Sequence, residues 1–172
     1  MQNAERLFRE YHATLVRYLT RRLGDRDWAE EIAQETFVRA LRQETIVNER
    51  SWLFAVATNL IRDEARRAGR QRRHLELLAA EARESEREEP VSTLEQVQET
   101  SDARRALESL AERDRQALLL KEEGLGYGEI AAVLEIETTS VGTTLSRARR
   151  RLAERYEALQ NARQGREQNA AS

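Results

Sequence analysis

The sequence predicts an all-α fold of two small helical domains joined by an acidic linker. Three observations support this prediction. The 172 residues include only seven glycines and one proline. Apolar residues recur at helical spacing, with polar residues on the opposite side. The proline, Pro90, lies in an acidic stretch that is poor in apolar residues and separates two amphipathic blocks.

Charge is segregated along the chain, although the net charge is only −2. Residues 1–74 carry 15 arginines and 11 acidic residues, which gives +4, whereas residues 75–102 carry −7 and residues 103–172 carry +1. We therefore divide the chain into a first domain (1–74), an acidic linker (75–102), a second domain (103–160) and a disordered tail (161–172).

Composition excludes several classes of function. The chain has no cysteine and only two distant histidines, which excludes thiol catalysis and thiolate metal sites and argues against a histidine metal site. No apolar run approaches the ~20 residues that span a bilayer, and no signal peptide is evident. We therefore expect a cytoplasmic protein without membrane insertion. No phosphate-binding glycine motif occurs, and we expect neither an enzyme nor a cofactor.

The first domain shows three or four helical stretches. A helix over 4–23 ends at Gly24, as helices often do at glycine. Its inward face is predicted to carry Leu7, Phe8, Tyr11, Leu15 and Leu19. Asp27 is a candidate cap for a second helix near 28–43, and Ser51 is a plausible N-cap for a third. The start of the second helix carries an acidic cluster, which fits either a favourable helix dipole or a protein-docking surface. The cluster comprises Asp25, Asp27, Glu30, Glu31 and Glu35.

The third helix carries a polar, mainly basic stripe opposite its apolar face. The stripe consists of Asn59, Arg62, Arg66, Arg70 and Arg73. Arginines in this arrangement neutralise phosphates and release counterions, which favours nucleic-acid binding. A solvated charged face is the alternative, and Asp63 and Glu64 between the arginines support it.

The second domain has its helices in the order of a helix-turn-helix. A helix through RQALLLKEEG stops at Gly124. A short helix, YGEIAAVLE, then precedes a turn and a final helix that runs to about Leu159. In this motif the second helix enters the major groove, where hydroxyls and arginines contact bases and phosphates. A helical bundle with a charged exterior is the alternative. The polar face of the final helix carries Ser140, Thr143, Thr144, Arg147, Arg150 and Arg151.

Three segments resemble the extracytoplasmic-function group of bacterial sigma-70 family factors. DRDWAEEIAQETFVRAL (25–41) is similar to the acidic segment of family region 2, and SWLFAVATNLIRDEARRAGRQRR (51–73) is similar to the helix that follows it. LAERDRQALLLKEEGLGYGEIAAVLEI and LSRARRRL resemble region 4. The resemblance covers about residues 5–74 and 103–157. It implies a sigma factor that binds core RNA polymerase and directs promoter-specific transcription initiation.

The resemblance also implies partners and site residues. Docking on the β′ clamp helices of core RNA polymerase is implied for Asp27, Glu30, Glu31, Ile32, Gln34, Glu35 and Phe37. Recognition and opening of the −10 promoter element are implied for Asn48, Ser51, Asn59, Arg62, Arg66, Arg67 and Arg70. Region 4 is implied to contact the β flap and to read the −35 element through Ser140, Thr143, Thr144, Arg147, Arg150 and Arg151. An anti-sigma factor is a further implied partner.

The chain departs from the family pattern at the start of the final helix. The family commonly has G-T-V-K/R-S-R-L before the R-A-R run, whereas this chain has Gly142 and Thr144 at the usual basic positions. We therefore assign no −35 consensus and expect weaker region 4 binding. A helical glycine also costs up to ~1 kcal/mol relative to alanine, and close approach of a backbone is one explanation for it.

Two other classes of function stay open from the residues alone. A stand-alone helix-turn-helix regulator would bind duplex DNA without polymerase, usually as a symmetric dimer, although no dimerisation helix is evident. A helical adaptor or anti-sigma-binding protein would have no DNA role, and its activity would survive charge reversal of Arg62, Arg66, Arg147 and Arg150.

Overall fold

The computed structural model describes residues 2–75 and 94–170, which form seven helices and no strands. This architecture confirms the all-α prediction. Across the described part of the chain, no helix has both the length and the apolar character needed to cross a membrane. The helices are α1 (Gln2–Leu23), α2 (Arg26–Leu41), α3 (Glu49–Leu75), α4 (Leu94–Glu108), α5 (Glu112–Glu122), α6 (Tyr127–Leu134) and α7 (Thr138–Ala170).

Helices α1, α2 and α3 pack around an apolar core. Tyr18 on α1 and Phe54 on α3 are fully buried, and their ring centroids lie 5.1 Å apart. The Trp28 Nε1 atom donates a hydrogen bond to Glu64 Oε2 at 2.6 Å, which joins α2 to α3. These contacts fix the acidic face of α2 relative to the basic stripe of α3.

Neither of the two predicted helix caps, Asp27 and Ser51, is found in the structure. Asp25 caps α2 instead of Asp27, because its carboxylate accepts a hydrogen bond from the Trp28 backbone N–H at 3.0 Å. Ser51 is not an N-cap, because α3 begins two residues earlier, at Glu49. The chain turns at Asn48, whose φ of +53° lies in the left-handed region that asparagine tolerates.

Helices α4 to α7 form the second unit. Gly124, with a φ of +82°, follows the C-terminal end of α5 as predicted. Helix α7 continues to Ala170, beyond the predicted end near Leu159 and through most of the tail predicted to be disordered. The extension packs along α4, where Arg163 Nη1 lies 3.2 Å from Asp102 Oδ2.

The acidic linker predicted over 75–102 is partly helical, because Leu75 belongs to α3 and α4 begins at Leu94. Residues 76–93 of this predicted linker, and residues 171–172 of the predicted tail, lie outside the described residues.

Candidate nucleic-acid and polymerase interfaces

The start of α7 carries an open groove lined by hydroxyl groups, by two arginines and by two glutamates, Glu135 and Glu137. Ser140 and Thr143 are exposed and line this groove with Arg113 and Arg147. The hydroxyls occupy the first two turns of the helix, where a helix-turn-helix protein contacts base edges. The structure therefore places Ser140, Thr143 and Arg147 on one face.

Thr144 differs from its predicted neighbours because its side chain is only 6% exposed. It lies three residues after Val141 and four residues before Ala148, both fully buried. Residues at these spacings share one face of a helix, so Thr144 belongs mainly to the packed side of α7. The sequence analysis places Thr144 on the polar face with the other −35 residues, and its burial corrects that assignment.

Asp114 on α5 organises two arginines of α7. It is 1% exposed, its Oδ1 accepts from Arg147 Nη2 at 2.8 Å, and its Oδ2 accepts from Arg151 Nη1 at 2.7 Å. Burial alone would raise the pKa of Asp114, but the two guanidinium groups outweigh burial and hold the pKa below its ordinary value. Asp114 is thus a fixed anion that orients Arg147 and Arg151.

Sequence reasoning missed Asp114 because it considered the polar face of α7 alone. The i, i+4 spacing of Arg147 and Arg151 suits a shared acidic partner, but only the packing of α5 against α7 identifies that partner. Arg150 is exposed and lies 3.8 Å from Glu154 of the same helix.

The basic stripe of α3 is partly exposed to solvent, and one of its arginines contacts other side chains of the chain. Asn59, Arg66 and Arg67 are exposed. The Arg62 side chain is half-buried, with Nη1 3.5 Å from Asn59 Oδ1 and 3.7 Å from Glu135 Oε2. The side chains of the two remaining stripe residues lie outside the described residues; these are Arg70 and Arg73.

The loop before α3 presents one of its two predicted site residues. Asn48 is exposed at the left-handed turn. Ser51 is 6% exposed, and its Oγ donates a hydrogen bond to the Asn48 carbonyl at 3.0 Å. Ser51 therefore supports the shape of the loop. Exposed Val47 also lies in this loop, and sequence analysis did not single it out.

The acidic face of α2 is solvent-accessible, whereas its two apolar members are buried. Ile32 and Phe37 are 1% and 7% exposed and support the face from the core. Glu30 is half-buried, with Oε2 3.3 Å from His12 Nε2. The exposed members of the predicted docking set are Asp27, Glu31, Gln34 and Glu35.

Exposed apolar side chains extend the α2 face beyond the predicted set. Leu41 is 58% exposed and Val38 is also exposed. Phe8 on α1 was expected to point inward but is exposed, with its ring centroid 5.1 Å from that of Phe37. The sequence could have indicated this surface, because Val38 and Leu41 are apolar residues that lie outside the core face of α2.

Each of the two helical units matches the model of a known protein family. Residues 7–71 match the family model of sigma-70 region 2, and residues 101–152 match that of sigma-70 region 4. We refer below to helices α1–α3 as region 2 and to helices α4–α7 as region 4.

Relatives support the same family. The chain is 35% identical over 150 residues to the ferric citrate uptake sigma factor FecI of Escherichia coli (strain K12), covering 84% of this chain and 85% of FecI. It is 33% identical over 162 residues to the ECF RNA polymerase sigma factor SigE of Mycolicibacterium smegmatis, covering 88% of this chain and 61% of SigE. The chain therefore belongs to the sigma-70 family, in its extracytoplasmic-function (ECF) group, and is an RNA polymerase sigma factor for transcription initiation.

A solved structure shares the fold. The sigma factor RpoE from Bartonella quintana, solved in complex with the anti-sigma factor NepR, aligns with a TM-score of 0.70 and 22% identity, covering 91% of this chain and 98% of RpoE. This likeness agrees with the two helical units described above.

Gly142, the unusual glycine of α7, is not required by close packing. A Cβ at this position would lie 3.7 Å from Cε2 of Tyr127, an ordinary van der Waals contact. We expect Gly142→Ala to raise the free energy of unfolding by up to about 1 kcal/mol, because alanine lowers the entropic cost of the helix. Urea unfolding measures the change, with Gly165→Ala near the end of α7 as the control that gains less. Destabilisation by Gly142→Ala would contradict this account.

Proposed function

We propose that this sigma factor uses three separate helix faces: α2 for core polymerase, α3 for the −10 element and α7 for the −35 element. The observation that carries the proposal is that the three family motifs lie on three different helices and each presents exposed polar side chains. One small chain then holds polymerase and promoter DNA at the same time.

The α2 face suits a basic protein surface. Asp27, Glu31 and Glu35 are exposed on one bundle helix, and charge complementarity of this kind guides association and fixes register. Exposed Val38 and Leu41 add apolar area beside the acids. We assign this combined surface to the β′ clamp helices, with buried Ile32, buried Phe37 and half-buried Glu30 as its support.

The α3 face and its loop suit DNA that is being opened. Arg66 and Arg67 are exposed and provide phosphate contacts. Asn59 offers both a donor and an acceptor to an unpaired base, and exposed Asn48 lies at the turn that precedes the helix. Arg62 also contacts the DNA once its ion pair with Glu135 is broken. Ser51 stabilises the loop through its hydrogen bond to the Asn48 carbonyl.

The α7 face suits the major groove. Ser140 and Thr143 are placed to contact base edges, while Arg147, Arg150 and Arg151 contact phosphates or guanine. Thr144 contributes to packing. Since cations are absent at positions 142 and 144, we expect region 4 to rely on Asp114-oriented arginines and on contact with the β flap.

The factor acts through binding energy, without a catalytic step of its own. We place it in the cytoplasm, where core polymerase meets promoter DNA. We also propose an anti-sigma factor as a partner, because RpoE of similar fold was solved with NepR. Such a partner would cover the surfaces that face polymerase.

The polymerase-binding face is tested by reversing its charge. We expect Asp27→Lys/Glu31→Lys to weaken binding to bacterial core polymerase by at least about tenfold, because complementary charges become repulsive. The control Glu5→Lys/Glu10→Lys makes the same charge change on exposed residues of α1 and should bind normally. Fluorescence anisotropy with labelled chain measures both. Equal affinities for the two variants would contradict the assignment of α2.

A further inference from the structure

The stretch that begins α7 contains a single charged residue, and that residue is acidic. From Glu137 to Ser146 the chain reads ETTSVGTTLS, and the first cation that follows is Arg147. The N-terminal end of a recognition helix is the part that meets base edges. In this chain that end carries an anion and no cation, although DNA is a polyanion.

The backbone on both sides of Glu137 is fixed by hydrogen bonds. The Glu137 carbonyl accepts a hydrogen bond from the Ser140 backbone N–H at 2.9 Å. On the other side, the Ile136 backbone N–H donates to the Ala131 carbonyl at 3.1 Å. The Glu137 side chain therefore extends from a defined point, directly before Thr138, where α7 begins.

The Glu137 carboxylate is available to a ligand. Its side chain is exposed and lines the groove at the start of α7. Within residues 2–75 and 94–170, this carboxylate forms no ion pair and accepts no hydrogen bond from the first turn of α7. Glu135, the other glutamate of the groove, differs because its Oε2 lies 3.7 Å from Arg62 Nη1.

The other polar groups of the groove do not choose between bases. Arg113 and Arg147 line it, and arginine contacts to phosphates fix register on the duplex without reading sequence. The Ser140 and Thr143 hydroxyls can donate or accept a hydrogen bond, so they fit any base edge. Glu137 is the group with a strict requirement, because an ionised carboxylate only accepts hydrogen bonds.

That requirement matches one base in particular. In the major groove guanine presents the acceptors N7 and O6, and thymine presents the acceptor O4, so both would repel a carboxylate. Adenine presents its N6 amino group beside the acceptor N7, whereas cytosine presents the N4 amino group alone. Cytosine is therefore the base whose edge suits a carboxylate best.

We infer that Glu137 is a specificity-determining residue of this sigma factor, and that its carboxylate selects a cytosine of the −35 element through the N4 amino group. The inference rests on the proposed function, in which α7 enters the major groove of that element. The carboxylate also repels the phosphates of every DNA sequence, and only a promoter with the cytosine compensates for this repulsion. Glu137 thus restricts the set of promoters by excluding the wrong ones.

The inference is tested with holoenzyme assembled from bacterial core polymerase and the full-length chain. The template is a promoter of the chain's own genome that this holoenzyme transcribes, with the −35 region randomised and the rest fixed. DNA retained by the holoenzyme is sequenced. We expect the wild type to enrich cytosine at one position and Glu137→Ala to lose this preference. Glu137→Gln should shift it towards adenine, because glutamine pairs with N6 and N7 of adenine.

Affinities for two single duplexes give the size of the effect. The duplexes differ only in having cytosine or thymine at the selected position, and fluorescence anisotropy of labelled DNA measures each. We expect wild-type holoenzyme to prefer the cytosine duplex by about fivefold and Glu137→Ala holoenzyme to bind both equally. Glu137→Ala should bind the thymine duplex at least as tightly as the wild type does, because a repulsive charge is removed.

The matched control is Glu157→Gln. Glu157 is exposed on the same helix, and the 20 residues that separate it from Glu137 correspond to ~30 Å of helix. The charge change equals that of Glu137→Gln, and the cytosine preference should persist. Circular dichroism checks that every variant is folded.

A purely structural role of Glu137 predicts a different result. If the carboxylate only stabilised the start of α7 through the helix dipole, Glu137→Ala would weaken binding to both duplexes equally and leave the base preference unchanged. That result would overturn the inference, as would a Glu137-dependent preference for a base other than cytosine. Wild-type holoenzyme that enriches no −35 sequence would instead overturn the assignment of α7 to this element, and the inference with it.

Discussion

Exchanging Arg66 and Arg67 for glutamate should lower promoter-specific transcription by roughly a hundredfold, about tenfold for each reversal. Both side chains are exposed on α3, and each reversal replaces a phosphate contact with repulsion. Core polymerase binding should be unchanged, because the α2 face lies on another helix. In-vitro transcription and a core-binding assay separate the two effects.

The control for this variant is Arg104→Glu/Arg105→Glu, which makes the same charge change on exposed positions of α4. It should transcribe at nearly the level of the wild type. Equal transcription from both double variants would contradict the assignment of α3 to DNA. Loss of core binding by Arg66→Glu/Arg67→Glu would place these residues in the polymerase interface instead.

Replacing Asp114 with asparagine should lower the free energy of unfolding by about 1.5–3 kcal/mol, the range for hydrogen bonds to charged groups. The substitution removes the buried anion that holds Arg147 and Arg151. The control Glu154→Gln disrupts only an exposed pair with Arg150, at 3.8 Å, and should cost less than about 0.5 kcal/mol. Urea unfolding at neutral pH measures both.

The effect of Asp114→Asn has a definite pH dependence. The pKa of Asp114 is lowered in the folded chain, so its carboxylate contributes full stability above its unfolded pKa of about 3.9. That contribution is lost as the pH falls through the folded pKa. The difference between wild type and Asp114→Asn should therefore shrink in acid. A cost no larger than that of Glu154→Gln at neutral pH would contradict the role of Asp114.

The local parts of this structure were predictable because they depend on residues close in sequence. Apolar spacing predicted the helices, and the glycines after Leu23 and Glu123 marked two helix ends. The helix-turn-helix order and the acidic face of α2 were also visible, because each lies within one short segment.

The parts that sequence analysis missed depend on contacts between distant segments. Glu123 and Glu129 look like ordinary solvent-facing acids, and only the packing of region 4 on region 2 makes them partners of Arg17 and Arg50. Helix α7 extends past its periodic apolar face because α4 lies beside it. A hydropathy pattern describes only neighbouring residues in the sequence, so it cannot predict contacts between distant segments.

The central claim is tested most directly by in-vitro transcription with bacterial core polymerase, with and without this protein, on a pool of promoter fragments from its own genome. We predict template-specific transcripts that appear only with the protein, and their start sites would define the −10 and −35 elements. Absence of transcripts together with absence of co-purification with core polymerase would contradict the account.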